Sequence, residues 1–365
     1  MSVICVKLRL IPEITQERIL TDTMQAFKSA CNEVSEYVYE KKTLSRKIIR
    51  ADMYYYIREK YGLGAQMAQS VISVAVARYK TEKAKGEWNK CIFKKPQMEL
   101  VWNRDYSIKN NVVSVNTLNG RIKMKFLDAG FEKYLDGSWK YAGAKIIYRH
   151  NKWFLHAGIT REDEEFKPET VCGVDMGINF HAVMYDGNKT IFVKGRSIKQ
   201  KRAAYKETRK QLQQRKTPSS RRRLKKIGNR ENRWMQDVNH CVSKALVENL
   251  EKGTLIVLED LTGIRKATEK VKRKNRYVQV SWAFYDLRNK IEYKAKLHGC
   301  EAIAVNPEYT SQRCPYCGHT EKSNRNRRNH LFQCKSCGYS SNDDRTAAMN
   351  LYLMGKEYLD TVAHR

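Results

Sequence analysis

The sequence predicts a multidomain α/β protein. Three observations carry this. The N-terminal half sets a helical block among antiparallel β segments. The second half runs three short strands in a meander, then helix, strand, helix, strand, helix. Two Cys-x-x-Cys pairs interrupt that second half between its last strand and last helix. At roughly 100–200 residues per domain, 365 residues suggest two or three domains.

The first strand is read from Ile4, Val6, Leu8 and Leu10, which alternate with Lys7 and Arg9. Pro12 breaks the alternation, and Thr15 is the expected helix N-cap. Met24, Phe27, Cys31, Val34 and Val38 then recur at helical spacing. Further helices are expected over 51–61 and 65–83, so residues 11–90 form a helical unit. From Cys91 the pattern turns to hairpins. Segments 112–115 and 122–126 flank Asn119-Gly120, and segments 144–149 and 153–159 flank His150-Asn151-Lys152. Strand 3–10 is expected to join this sheet, which makes the helical unit an insertion. Segment 161–170, polar and ending near Pro168, reads as a linker.

Strands follow at 171–174, 182–185 and 190–193, then a long basic helical stretch. Leu255-Ile-Val-Leu258 reads as a strand buried on both faces. A helix over 280–298, a strand over 302–305 and a last helix over 344–357 complete the order.

Lys and Arg number 70 against 39 Asp and Glu, a formal net charge of +31. Such a field calls for a polyanion, and nucleic acid is the foremost candidate, because each phosphate contact releases a counterion. A membrane surface is disfavoured, since no apolar run approaches 18–20 residues. The opening residues show strand alternation and no signal-peptide pattern, so a soluble cytosolic protein is expected. Of ten cysteines, Cys5, Cys31, Cys91, Cys172, Cys241 and Cys300 stand singly and read as small buried hydrophobes.

Three acids are candidates for a shared site. Asp175 ends the first meander strand, Glu259 ends the buried strand, and Asp344 opens the last helix. Central strands of one sheet place their C-terminal ends side by side, and ligand sites form there. Asp344 is preferred to Asp343 because Ala347, Ala348 and Leu351 share its helix face. Clustered carboxylates suit phosphodiester hydrolysis by two Mg²⁺ ions, with Asp175 bridging and Glu259 and Asp344 each serving one. Taken singly, each acid reads more readily as an ordinary turn or cap residue; together on a single sheet, the balance reverses.

Cys314, Cys317, Cys334 and Cys337 have the spacing of a four-thiolate structural Zn²⁺ site. His319 and His330 are nearby and could substitute or be loop residues. Lys322, Arg325, Arg327 and Arg328 lie between the pairs and point to nucleic-acid contact. Residues 196–233 hold 16 Lys or Arg against two Glu, interrupted by Thr217-Pro-Ser-Ser220. One helix is expected to dock on the sheet and its basic extension to project outward, binding phosphates through Arg202, Arg209, Lys210, Arg221, Arg222, Arg223, Lys225 and Lys226. Tyr54-Tyr55-Tyr56, Trp102 and Tyr106 either stack on bases or fill the core.

Gly173-Val-Asp-Met-Gly177, Leu258-Glu-Asp-Leu261, Tyr309-Thr-Ser-Gln-Arg-Cys-Pro-Tyr-Cys-Gly318, Cys334-x-x-Cys-Gly-Tyr339 and Asp344-x-x-Ala-Ala-x-Asn350 together resemble the TnpB proteins of insertion sequences. Lys7-Leu-Arg-Leu10-x-Pro12 also fits, and the likeness covers nearly the whole chain. One departure is Thr346, where the family usually has Asn. The resemblance implies a wedge-type β-barrel over 1–10 and 91–169 and an inserted helical recognition domain over 11–90. It implies an RNase H-like RuvC nuclease domain over 170–313 and 338–365, with a zinc ribbon over 314–337 inserted in it. It further implies Asp175, Glu259 and Asp344 as the catalytic, Mg²⁺-binding acids, and one structural zinc. The partners implied are a guide RNA from the transposon end and double-stranded target DNA beside a short adjacent motif, with the protein monomeric on its RNA in a prokaryotic, nucleoid-associated setting. In such enzymes base pairing reads sequence and the protein holds the heteroduplex in a basic channel. Competing readings are a compact type V CRISPR effector, a nuclease-inactive RNA-guided repressor, and a guide-independent nuclease. The three acids argue against the repressor.

Overall fold

A computed structural model describes residues 2–127, 130–134, 136–163, 166–260, 283–306 and 308–363. The chain separates into two compact units, Met1–Glu162 and Asp163–Arg365. Among the described residues, no helix is long and apolar enough to cross a membrane.

The first unit begins with β1 (Ser2–Ile11), then α1 (Ile14–Lys41), α2 (Arg46–Tyr61) and α3 (Ala65–Ala84). The chain returns through β2 (Met98–Leu100), β3 (Tyr106–Lys109), β4 (Val112–Thr117), β5 (Gly120–Leu127), β6 (Lys140–Arg149) and β7 (Lys152–Arg161). These strands form one antiparallel sheet in the order β2-β6-β7-β1-β5-β4-β3. The edge strands β2 and β3 are joined by the tight turn Val101–Asp105, so the sheet nearly closes on itself. As its position between β5 and β7 requires, β1 is paired on both sides.

The helices pack into the same core as the sheet. Leu20, Met24, Phe27, Cys31, Val34 and Val38 form the buried stripe of α1. Its N-cap is Glu13, not Thr15. The Glu13 N–H donates to Gln16 Oε1 at 3.0 Å, the back-reaching half of a capping box. The first hairpin closes on Thr117↔Gly120, so its turn is Leu118-Asn119, with Gly120 at φ +84° just beyond. The second closes on Arg149↔Lys152, and His150 and Asn151 both take positive φ, as a type I′ turn demands. Asn110-Asn111 makes a third such turn that periodicity had not flagged. Trp102 stacks on Tyr141 at 4.2 Å and Tyr106 is fully buried, so this pair is core. Tyr55 and Tyr56 stay exposed.

The second unit holds β8 (Thr170–Asp175), β9 (Phe180–Tyr185), β10 (Thr190–Lys194), α4 (Arg196–Arg215), α5 (Pro218–Ile227), α6 (Arg230–Glu248), β11 (Thr254–Glu259), α7 (Ala283–His298) and β12 (Glu301–Val305). A small three-stranded ribbon, β13 (Arg325–Asn326), β14 (Leu331–Gln333) and β15 (Ser340–Asn342), precedes α8 (Asp343–Ala363). Residues 280–282 of the expected helix, and Leu261 of the acidic motif, lie outside the described residues.

The main sheet runs β10-β9-β8-β11-β12, with β11 parallel to both β8 and β12. On one face, Cys172, Val174, Ile256 and Leu258 pack against Leu246 and Val247 of α6 and Leu287 and Ile291 of α7. On the other, Val171, Leu255 and Val257 meet Leu351 of α8. Gly173 is required there. A Cβ on it would run into the Ala348 carbonyl and the Tyr352 amide, so α8 lies with its backbone against β8.

The basic stretch is three helices rather than one helix with an extension. Thr217 caps α5, its Oγ1 accepting from the Ser220 amide at 3.2 Å, with Pro218 in the first turn. Leu212 is the only side chain of α4 that is buried and Ser220 the only one of α5, so neither joins the sheet core. Of the single cysteines, Cys31, Cys91, Cys172 and Cys300 are buried, while Cys5 and Cys241 are exposed. Cys5 shares the outward face of β1 with Lys7 and Arg9, where period two places it.

Candidate active site and thiolate cluster

Strand register builds the acid site. Leu258 pairs with Val174, so Glu259 and Asp175 follow side by side at the ends of parallel strands. Alternation puts Asp175 on the face of Val171 and Gly173, and Glu259 on that of Leu255 and Val257. This is the face α8 covers. Ala347, Ala348 and Leu351 are buried, which turns Asp344 toward the sheet ends. A Cβ built on Gly177, in the loop after β8, would lie 3.8 Å from Asp344 Oδ2.

The three carboxylates feel one another. Burial pushes Asp175 well above the ordinary carboxylate range, Glu259 and Asp344 push it further, and Arg325 pulls it back. Burial also raises Glu259, against a hydrogen bond from Thr310 and the charge of Arg325. Asp344 is raised by burial and then by Asp343, against Arg325 and His330. Uncompensated buried carboxylates are the donor set of a hard divalent cation.

Sequence reasoning missed several neighbours. Thr310 Oγ1 donates to Glu259 Oε1 at 2.7 Å. Arg325, expected in a nucleic-acid-facing loop, instead donates from Nε to Asp343 Oδ2 at 2.8 Å and stands 3.7 Å from Asp344. His330 comes within 3.7 Å of Asp343. Asp343 is thus a buried partner of the ribbon, 0 % exposed, rather than an outward-facing residue. Alternating loop charge gives no hint of which Arg folds inward.

Cys314, Cys317, Cys334 and Cys337 have sulfurs all within 4.8 Å of one another, and among the described residues they are the one group of three or more donors that does. The three carboxylates fall outside that 4.8 Å limit. A Zn–S distance of about 2.3 Å gives a tetrahedron with edges of about 3.8 Å. The Cys314–Cys337 and Cys317–Cys334 separations are both 3.5 Å. Two matching knuckles hold the sulfurs, with Gly318 and Gly338 each at φ +75° and their amides donating to Cys314 and Cys334 carbonyls. Burial raises the Cys334 thiol, but the N–H groups of Cys337 and Ser336 and the Cys317 thiol outweigh it, down to about 6. Cys337 moves the other way: the Tyr339 backbone lowers it, but hydrogen bonds with the other sulfurs raise it overall. The near-tetrahedral spacing of the four sulfurs is what fits zinc. His319 turns aside to Glu321 at 3.2 Å.

The eight basic candidates divide. Arg202 and Arg209 both pair with buried Glu231, the former at 3.3 Å, which ties α4 to α6. Lys210, Arg221, Arg222, Arg223, Lys225 and Lys226 are exposed.

Residues 154–263 match a family model described as a probable transposase, and residues 284–351 match the Cas12f1-like TNB domain. The CRISPR-associated endodeoxyribonuclease Cas12f1 of Syntrophomonas palmitatica is 33 % identical over 239 residues, covering 60 % of this chain and 46 % of that one. The TnpB-like protein MJ0751 of Methanocaldococcus jannaschii is 38 % identical over 130 residues, 35 % of this chain and 46 % of that one. The chain spans about half the length of the curated relatives it matches. Among solved structures, a Cas12f1–sgRNA–target DNA complex superposes with a TM-score of 0.68 at 14 % identity, covering 96 % of this chain and 98 % of that one. That likeness is one of fold.

Proposed function

We propose that the chain, which is similar in sequence to TnpB-like and Cas12f1 proteins, is an RNA-guided DNA endonuclease. Its second unit is read as an RNase H-like RuvC nuclease domain carrying a zinc ribbon. The near-closed sheet and helices of the first unit are read as a wedge barrel and a recognition domain. Guide RNA and double-stranded DNA are the partners in this reading, in keeping with the similar fold of the Cas12f1–sgRNA–target DNA complex and with the net charge of +31.

The observation that carries the reading is the meeting of Asp175, Glu259 and Asp344 from β8, β11 and α8 at one end of one sheet, each raised in pKa by burial and by neighbouring acids. In this reading Asp175, Glu259 and Asp344 would together hold two divalent ions. The ions would stabilise the attacking and leaving oxygens of phosphodiester hydrolysis. The protein's own part is to hold the carboxylates in register, through strand pairing, the Gly173 approach of α8 and the Thr310 hydrogen bond. Arg325 supplies the nearby positive charge, and the exposed basic faces of α4 and α5 hold phosphates without reading sequence.

The test is to express the chain from its native locus, recover the RNA that co-purifies, and add a duplex matching that RNA with Mg²⁺. Cleavage that depends on both the match and the metal supports the proposal. Cutting without RNA would replace it with the guide-independent reading.

A further inference from the structure

We infer that Thr310 and Asn350 are positioning residues that set the orientation of the Glu259 carboxylate, making the loop before the first cysteine knuckle part of the acid site. This rests on the reading of Glu259 as a metal-binding acid.

Thr310 is buried, and its hydroxyl donates 2.7 Å to one oxygen of Glu259. A donor fixed on Oε1 selects one rotation of the carboxylate and leaves Oε2 for a cation. The residue that carries the hydroxyl is held through its backbone. Asn350, six residues after Asp344 on α8, gives one amide hydrogen to the Thr310 carbonyl at 2.7 Å and the other to the Arg313 carbonyl at 2.8 Å. Its own Oδ1 is buried without a hydrogen-bond partner. A side chain that leaves its acceptor unsatisfied while spending both donors on one loop acts as a clamp on that loop.

The loop is bent to receive the clamp. Tyr309 takes φ +63°, a left-handed conformation unusual for a residue other than glycine, and its carbonyl accepts from the amides of Gln312 and Arg313 at 2.8 and 2.9 Å. This turn carries Thr310 toward Glu259. A single helix, α8, therefore presents Asp344 directly and steers Glu259 through Asn350 and Thr310. Partners of this kind behind a metal ligand change metal affinity or activity about 10–100-fold when removed.

The experiment compares Thr310→Val, which deletes the hydroxyl at nearly constant volume, with Thr310→Ser, which keeps it. Each is assayed with co-purified RNA and matched duplex while Mg²⁺ is titrated. Thr310→Val is expected to raise the Mg²⁺ concentration for half-maximal cleavage about tenfold, and Thr310→Ser to stay near the parent. Mn²⁺ added to the protein alone should raise the melting temperature less in Thr310→Val. Target binding without divalent ions should be equal in all three. Asn350→Asp, which loses the amide donors, should shift Mg²⁺ dependence the same way. If it fails to fold, the Val and Ser pair decides alone. A Thr310→Val protein with the parent Mg²⁺ dependence overturns the positioning role. Glu259→Gln separates the two levels: if it still cleaves, the acid reading itself falls. If it is inactive while Thr310→Val is unaltered, only the positioning role falls.

Discussion

Arg325 on the ribbon strand β13 and Asp343 at the start of α8 form a buried ion pair, Nε to Oδ2 at 2.8 Å, with the aspartate fully enclosed. The pair ties the ribbon to the helix that presents Asp344. Removing one member of a buried pair leaves the other charge uncompensated, which costs about 3–5 kcal/mol. Arg325→Ala should therefore lose stability of that order in a denaturant titration. Arg325→Ala with Asp343→Asn should recover the part that belongs to this pair, because the enclosed Asp343 charge is removed along with its partner, while Asp175, Glu259 and Asp344 still lose a nearby cation. Equal instability of the single and double variants would mean that the ion pair is not what holds the ribbon there.

The raised carboxyl of Asp175 gives a pH dependence with a definite sign. Burial first, then Glu259 and Asp344, keep it protonated to higher pH in the folded chain than in the unfolded one. The folded state then binds more protons between the two pKa values, so stability falls as pH rises from the ordinary carboxylate range, about 3.9, through the raised value. Without divalent ions, Asp175→Asn should melt higher than the parent at pH 7, and the difference should vanish toward pH 4. Mg²⁺ should stabilise the parent and not the variant, and the variant should not cleave. A variant that melts lower at pH 7 would make Asp175 a structural acid.

Much of this was legible in the residues because backbone periodicity dictates it. Leu255 to Leu258 had to be a strand buried on both faces, and with Val171 to Val174 it fixed where Asp175 and Glu259 would emerge. The cysteine spacing foretold the knuckles. What stayed hidden depends on long-range side-chain packing. Nothing in the ribbon loop marks Arg325 as inward-facing while Arg327 and Arg328 stay out. Nothing in the basic stretch marks Arg202 and Arg209 as partners of Glu231 rather than of phosphate. The hairpin turn sits at Leu118-Asn119, one residue before the Asn-Gly pair, because Gly120 takes its positive φ at the first position of β5 rather than inside the loop.

The four thiolates yield a further test. Cys334→Ser removes one sulfur from a set whose members all lie within 4.8 Å of each other. Metal analysis should show about one zinc per chain in the parent and a clear loss in the variant. Amide exchange should rise over residues 313–339, since the knuckle hydrogen bonds of Gly318 and Gly338 depend on the closed ring. Full zinc content in Cys334→Ser would exclude it as a ligand.

The division among the basic residues of α4 and α5 separates stability from nucleic-acid binding. Arg202 and Arg209 neutralise Glu231, whose side chain is 7 % exposed, so replacing either with Ala should lower the melting temperature. Arg221, Arg222 and Arg223 are exposed on a helix that adds nothing to the core, so replacing all three should leave melting unchanged. Each phosphate contact contributes about 0.7–0.9 to the slope of log K against log salt. The triple variant should therefore bind RNA with a slope shallower by about 2–3. An unchanged slope would move the phosphate-binding surface off α5, leaving the exposed charge of α4 and the ribbon loop to supply it.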